Sequence, residues 1–399
     1  MQNSEKAVKF FHGLLFVPIY DKIIQIGVIS IMFEEVKKNF GFGCMRLPMK
    51  DGEIDYGEFD KMIDLFIENG FNYFDTAHGY HSGKSEIAIR NCLVKRYKRD
   101  KYLLTDKLTD FFIKSEQDVK PFFESQLKIC GVDYFDFYLM HAQNKNNYPF
   151  FKKCRAYEQV FELKKEGKIR HVGISFHDTA DFLEEILADY PEIEVVQIQL
   201  NYLDFEDSAV QSKKCYEVCR KYNKPVIVME PVKGGNLVNL PDEAKKHFDE
   251  LGNKSYASYA IRFAAGFDGV FMVLSGMSNL SQAEDNISFM KDFKPLDKRE
   301  MNAVHSVCEE FRKLNLIACT SCRYCIAGCP KNISIPDLFA CMNVKSIYHS
   351  WNANFYYDIH TKTTGKASEC IGCGKCEMAC PQHLPIRKLL VDVAKEFEK

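Results

Sequence analysis

Between Gly41 and about Phe293 the chain alternates two patterns. Short, nearly continuous apolar runs recur roughly every 30 residues, and each is followed by a stretch with the 3.6-residue period of an amphipathic helix. The runs are GFGCMRL (41–47), FNYFDTA (71–77), YLLTDKL (102–108), YFDFYLMH (134–141), HVGISFH (171–177), VVQIQLNY (195–202), PVIVMEP (225–231) and VFMVLSG (270–276). Runs that are apolar throughout suit parallel strands buried on both faces. The helical stretches fit between them. Lys61–Glu68 places Met62, Leu65 and Phe66 on one face, and Gly70, Gly131 and Gly167 stand where helices should end. Eight such units predict an α/β fold, a closed (β/α)8 TIM barrel. An open doubly wound sheet would want a glycine-rich loop and a helix after its first strand, and here Leu47-Pro48 follows.

Polar residues interrupt these strands at their carboxyl ends, the face where such barrels do chemistry. Asp75 and Tyr80 lie at and just past the second run, Lys107 ends the third and His141 the fourth. A single terminal histidine could be a satisfied rim residue. Four titratable groups on adjacent strand ends read as a site. Gly79–Ser85 imitates a phosphate-binding P-loop but is one residue short between its glycines, and Ser85 and Glu86 better suit the start of the next helix.

The last fifth of the chain has another grammar. Cys319-x2-Cys322-x2-Cys325-x3-Cys329-Pro330 recurs as Cys370-x2-Cys373-x2-Cys376-x3-Cys380-Pro381. This spacing is that of bacterial-type ferredoxins with two [4Fe–4S] clusters, in which the fourth cysteine of each run serves the other cluster. Cluster one should use Cys319, Cys322, Cys325 and Cys380; cluster two should use Cys370, Cys373, Cys376 and Cys329. Zinc competes for any C-x2-C pair, but a triplet followed by Cys-Pro fits it poorly. The eight other cysteines, Cys92 and Cys341 among them, read as small buried hydrophobes. Forty residues separate the runs and include SIPDLFACMNV, which predicts inserted helices and so a mostly helical cluster domain. Lys298–Leu314 reads as a joining helix and Ile386–Lys399 as a closing one.

Composition narrows the company the chain keeps. A formal net charge of −2 with 27% charged residues offers no electrostatic reason to bind nucleic acid or an anionic membrane. Sixteen cysteines among 399 residues, clustered late, point to metal and a reducing cytoplasm rather than a disulfide framework. Phe10–Met32 is apolar but broken by Asp21 and Lys22 into runs too short to span a bilayer. Lys6 and Lys9 before it weakly imitate a secretory signal, without a clear cleavage site, and Met32 offers a natural alternative start. The expected organisation is an extension (1–31), a barrel (32–295), a linking helix (296–318) and a cluster domain (319–399).

FDTAHGY (74–80), TDKL (105–108), FYLMH (137–141), GKIRHVGIS (167–175), VVQIQLNY and Glu284–Asp285–Asn286 together resemble the aldo/keto reductase family in order and spacing, over roughly residues 33–295. The cluster fusion resembles that family's iron–sulfur branch. The resemblance implies a catalytic tetrad of Asp75, Tyr80, Lys107 and His141. A carbonyl accepting hydride develops alkoxide charge, so Tyr80 would donate a proton, Lys107 tied to Asp75 would lower the phenol's pKa, and His141 would orient the carbonyl. It also implies NAD(P)H contacts at Ser175 and Gln197 for the nicotinamide and at Gln282 and Asn286 for the adenine end. Lys233, Gly234, Gly235 and Leu237 (the KGGNL stretch) would wrap the pyrophosphate. Phe176 and Met229 depart from the family pattern. Gly276 and Gln282 stand where the family places cations for the 2′-phosphate, so NADH is expected to bind at least as tightly as NADPH. A flavin usually mediates between hydride and single-electron carriers, and no flavin motif is visible. The expected function is an oxidoreductase that reduces a small carbonyl with a nicotinamide nucleotide, passes electrons through its clusters, or both, with a redox protein as a further partner. The alternatives are a carbonyl reductase whose clusters are structural or redox-sensing, and an electron carrier with a degenerate barrel.

Overall fold

The computed structural model describes residues 33–398, apart from 208–209, 253, 315 and 349–351. The expectations for residues 1–31 and for a start at Met32 lie outside the described residues. Eight parallel strands close into a barrel, in which each strand pairs with those before and after it in the chain. They are β1 (Phe40–Gly43), β2 (Tyr73–Asp75), β3 (Leu103–Leu108), β4 (Phe135–Gln143), β5 (Ile169–Phe176), β6 (Val195–Gln199), β7 (Val226–Met229) and β8 (Val270–Ser275). All eight predicted runs become strands. Pairing of Phe40 with Val273 and of Gly43 with Asp75 closes the ring through β1.

The barrel is a packed core rather than a channel. Tyr73, Leu103, Phe137, Leu139, Val195, Ile227 and Met272 fill its interior. Phe33 closes the amino-terminal end, with its ring 5.2 Å from Phe137 and 4.9 Å from Phe271. Gly173 is a place where only hydrogen fits: a Cβ there would lie 2.4 Å from Val195 Cγ2 and 2.6 Å from Val195 O.

The surrounding helices follow the predicted pattern with earlier starts. The first runs Tyr56–Glu68, where Asp55 caps it by accepting from the Glu58 N–H at 3.0 Å. It buries Phe59, Met62, Ile63 and Phe66, and Leu65 packs only partly. Gly131, at a φ of 75°, ends Val119–Cys130 in the left-handed conformation. The Lys298–Leu314 helix buries Ala303, Val304, Val307, Cys308 and Phe311 in the barrel's own core.

Beyond it, helices Ile335–Tyr348, Asn352–Thr361 and Ile386–Phe397 form a second, smaller core around Leu338, Phe339, Tyr357, Leu390 and Val393. No helix among the described residues is long and apolar enough to cross a membrane. The eight cysteines outside the two runs are all buried.

Candidate active site

The carboxyl ends of the strands open into a cavity of about 1130 Å³. At its base, Lys107 Nζ donates to Asp75 Oδ1 at 2.6 Å and to the Thr76 carbonyl at 2.7 Å, with the lysine fully buried. Gln197 Nε2 donates to the second Asp75 oxygen at 3.3 Å. Lys107 Nζ lies 5.0 Å from the centre of the Tyr80 ring, and the Tyr80 and His141 rings stand 6.1 Å apart, edge to face. All four predicted tetrad residues therefore meet. Tyr80 arrives on a tight 3₁₀ turn (Tyr80–Gly83) in which His81 and Ser82 take left-handed φ. A register shift between Met140 and Gln143, with Ala142 at a φ of 51°, carries β4 two residues past the predicted end at His141.

Electrostatics corrects one expectation. Burial, with the Asp75 carboxylate behind it, holds the Tyr80 phenol well above its ordinary range, not below it. Lys107 is spent on Asp75 and Thr76. The phenol is thus a proton donor throughout the neutral range. Burial, Lys107 and His177 push His141 well below its usual pKa and keep it neutral. Thr109 Oγ1 sits 2.7 Å from His141 Nδ1. With that hydroxyl donating, the ring proton rests on Nε2. Burial also brings His177, another cavity residue, down to about 4.

Ser175, Gln197, Gly234, Gly235, Gln282 and Asn286 line the cavity as the resemblance implied, and Met229 lies among them. Lys233 and Leu237 do not. Leu237 is in the core, and Lys233 is buried in an ion pair with Asp204, with Gln382 Oε1 at 3.4 Å. A buried ammonium needs a counter-charge, and Asp204 takes it away from any phosphate. Asn286 spends its amide on the Ser275 hydroxyl at 2.8 Å, and Gln282 accepts from the Ser278 N–H at 2.8 Å. Gly276 is uncharged, as expected, yet a cation is at hand. Arg46 lines the cavity and lies so close that a Cβ on Gly276 would be 3.3 Å from its own. It has no carboxylate partner among the described residues; its Nη2 donates to the Thr320 carbonyl at 2.9 Å. This removes the premise from which NADH was favoured.

The cluster domain forms one wall of the same cavity. Cys322, Tyr324 and Pro381 line it alongside Tyr80 and His141. The join is built from close backbone approaches: Asn236 Nδ2 donates to the Cys319 carbonyl at 2.9 Å, and a Cβ on Gly234 would be 2.3 Å from Thr320 O. Gln382 Nε2 donates to Glu230 at 3.1 Å, and Glu230 itself holds a left-handed φ of 56° at the end of β7. Sequence reasoning missed Arg46, Thr109, Glu230 and Tyr324. Glu230 could have been found by the strand-end rule that found His141.

Cys319, Cys322, Cys325 and Cys380 surround one small hollow, and Cys329, Cys370, Cys373 and Cys376 surround another. These are the two foursomes that the crossed spacing predicts. Four thiols facing one hollow is a donor set that fits a cubane.

Comparison with known proteins agrees with both halves. The pattern of the "Aldo/keto reductase family" matches residues 39–309, and that of the "4Fe-4S dicluster domain" matches residues 318–384. An NADH-specific methylglyoxal reductase of Escherichia coli is 29% identical over 204 residues, covering 45% of this chain but only 60% of that protein. A glyoxal reductase of Bacillus subtilis is 28% identical over 225 residues, 56% of this chain and 73% of its own length. Among solved structures, an aldo-keto reductase from Bacillus halodurans superposes with a TM-score of 0.55 at 24% identity, over 68% of this chain and 92% of that one. One from Klebsiella pneumoniae, in complex with NADPH, gives 0.54 at 20% identity, over 67% and 89%. The chain is thus an oxidoreductase belonging to the aldo/keto reductase family, with a 4Fe-4S dicluster domain fused behind its barrel.

Proposed function

We propose that the protein reduces a small carbonyl compound with a nicotinamide nucleotide, and that its two clusters bring single electrons to the wall of the same cavity. One observation carries this: Tyr80, Lys107, Asp75 and His141 converge in a cavity whose wall includes Cys322. The relatives' substrates, methylglyoxal and glyoxal, suggest the class of small dicarbonyls.

When bound, a nucleotide would supply the hydride, and cubanes held by the eight cysteines would supply or accept single electrons. The chain's own residues do the rest. His141, neutral and anchored by Thr109, would offer Nε2–H to the carbonyl oxygen. Tyr80, protonated at neutral pH, gives its hydroxyl proton to that oxygen as alkoxide charge develops. Lys107, pinned by Asp75 and Thr76 beneath the Tyr80 ring, provides fixed positive charge that stabilises the oxygen. Ser175 and Gln197 would orient the nicotinamide, Gly234 and Gly235 would let the pyrophosphate approach the backbone, and Gln282 and Asn286 would meet the adenine end.

Tyr80→Phe tests the chemistry. It keeps the ring and removes the proton, so dicarbonyl reduction should fall by about a hundredfold or more while nucleotide still binds. Unchanged turnover would remove Tyr80 from the role. Anaerobic spectra before and after adding NADH or NADPH test the electronic link. Bleaching of the clusters supports electron exchange with the cavity. Unaltered spectra favour the second reading, in which the cluster domain serves the reductase as a wall; Tyr324 and Pro381 on the cavity surface support it.

A further inference from the structure

The two cysteine hollows face different ways. The first is enclosed between the domains: Cys322 lines the barrel cavity, and Arg46 and Asn236 bond the carbonyls of Thr320 and Cys319. The second opens outward. Cys373 is exposed, and the large apolar side chains beside it, Ile371 and Met378, are 60% and 61% exposed. Side chains of this size left in water add nothing to folding, and set beside an exposed cysteine of the hollow they offer a partner an apolar contact.

Positive charge is left unpaired in this stretch. Lys331, which borders this hollow, and Lys375 and Lys388 are all exposed and have no carboxylate partner among the described residues. Of the neighbouring acids, Glu377 is held by Arg387 at 2.8 Å and Glu369 accepts from the Lys366 N–H at 3.3 Å. A small apolar centre beside unpaired lysines, set on an iron–sulfur site, suits a protein partner whose own redox group is ringed by acids.

We propose that the face around Ile371, Cys373 and Met378 is the docking surface for a small acidic one-electron carrier protein. Electrons enter or leave the chain there and not at cluster one. The proposal rests on the two-cubane assignment above. The step is simple in its balance: the reduced carrier loses one electron and is oxidised, cluster two gains that electron, and no bond or proton moves. The lysines steer the encounter, and Ile371 and Met378 exclude water from the contact.

The test uses anaerobic full-length holoprotein whose iron content and reduced electron-spin-resonance signal are recorded first, so a failure of the cubane assignment shows itself separately. A plant-type ferredoxin of strongly negative charge is titrated in by calorimetry, and cluster bleaching by its reduced form is followed by stopped flow. A basic cytochrome serves as a binding control. The acidic carrier should bind and the basic one should not. The bleaching rate should fall by at least about tenfold between about 0.05 and about 0.3 M salt. Lys331→Glu/Lys375→Glu should lower affinity and rate by at least about tenfold at full iron content. If that pair disturbs the cluster, Lys388→Glu, on the closing helix away from the cysteines, should move both readouts in the same direction. Equal binding of acidic and basic carriers, or rates indifferent to salt and to these substitutions, would overturn the proposal. So would self-association through this face, seen as a dimer lost on Ile371→Glu.

Discussion

Lys107→Met isolates the strongest interaction in the site. Methionine keeps the stem and removes the ammonium, leaving Asp75, 3% exposed, with only the 3.3 Å contact from Gln197. Stranding one member of a buried pair usually costs about 3–5 kcal/mol. Here the cost has a ceiling, because Asp75 can escape by taking a proton. Holding protonated a carboxyl that ionises near 3.9 when unfolded costs about 1.4 kcal/mol per pH unit above that value. The ceiling is therefore about 4 kcal/mol at pH 7 and about 2 kcal/mol at pH 5.5.

The sign follows from the direction of the shift. Burial already raises the folded pKa of Asp75 despite Lys107. A raised carboxyl costs nothing below its unfolded pKa, and it destabilises as pH rises through the folded value. Removing Lys107 raises the folded pKa further and widens that window. Anaerobic urea titrations of holoprotein, followed by circular dichroism between pH 5.5 and 7.5, should show the variant's deficit growing with pH. Lys107→Met/Asp75→Asn should recover most of the loss and abolish the slope. A deficit independent of pH, or a double variant no better than the single one, would refute the reasoning.

Three further outcomes are expected. Anaerobic holoprotein should hold about eight irons, and Cys373→Ala should damage one cluster while leaving the other's signal intact; stoichiometric zinc with little iron would defeat this. Arg46→Met should weaken NADPH by about tenfold more than NADH, the worth of one charge-assisted contact, and an equal loss by calorimetry would place the phosphate elsewhere. Tyr324→Ala should raise kcat/KM for bulkier carbonyls relative to glyoxal by about tenfold, a change of the size that pocket contacts supply, at unchanged iron content. Tyr324→Phe should not, and a uniform change across substrates would deny Tyr324 a place against the substrate.

The strands were legible because a parallel barrel buries both faces of each one, so FDFYLMH and VVQIQL are mostly apolar, and their exceptions are paired: Asp136 with Arg99 and Arg170, Gln197 with Asp75. The cysteine foursomes were legible because cubane ligation fixes their spacing. How the two halves meet was not. That surface is made of Arg46 on Thr320, Gly234 on Thr320 and Gln382 on Glu230, pairs between 86 and 274 residues apart with no periodicity to announce them. Lys233 shows the same limit at short range. A lysine in a glycine-rich loop suggests phosphate, and only the fold reveals Asp204 opposite it.

Crossed ligation has a consequence for how the protein is made. With the cysteines assigned as above, neither run can complete a cluster alone: cluster two waits for Cys376 and cluster one for Cys380. Pro381 and Gln382, which complete the reductase cavity, emerge with Cys380. On the proposed assignment the last wall of the cavity, with Cys322, Tyr324 and Pro381, belongs to the segment that the clusters would tie together. If the clusters hold that wall in place, loss of iron would cost the proposed carbonyl reduction, a hydride reaction that itself needs none.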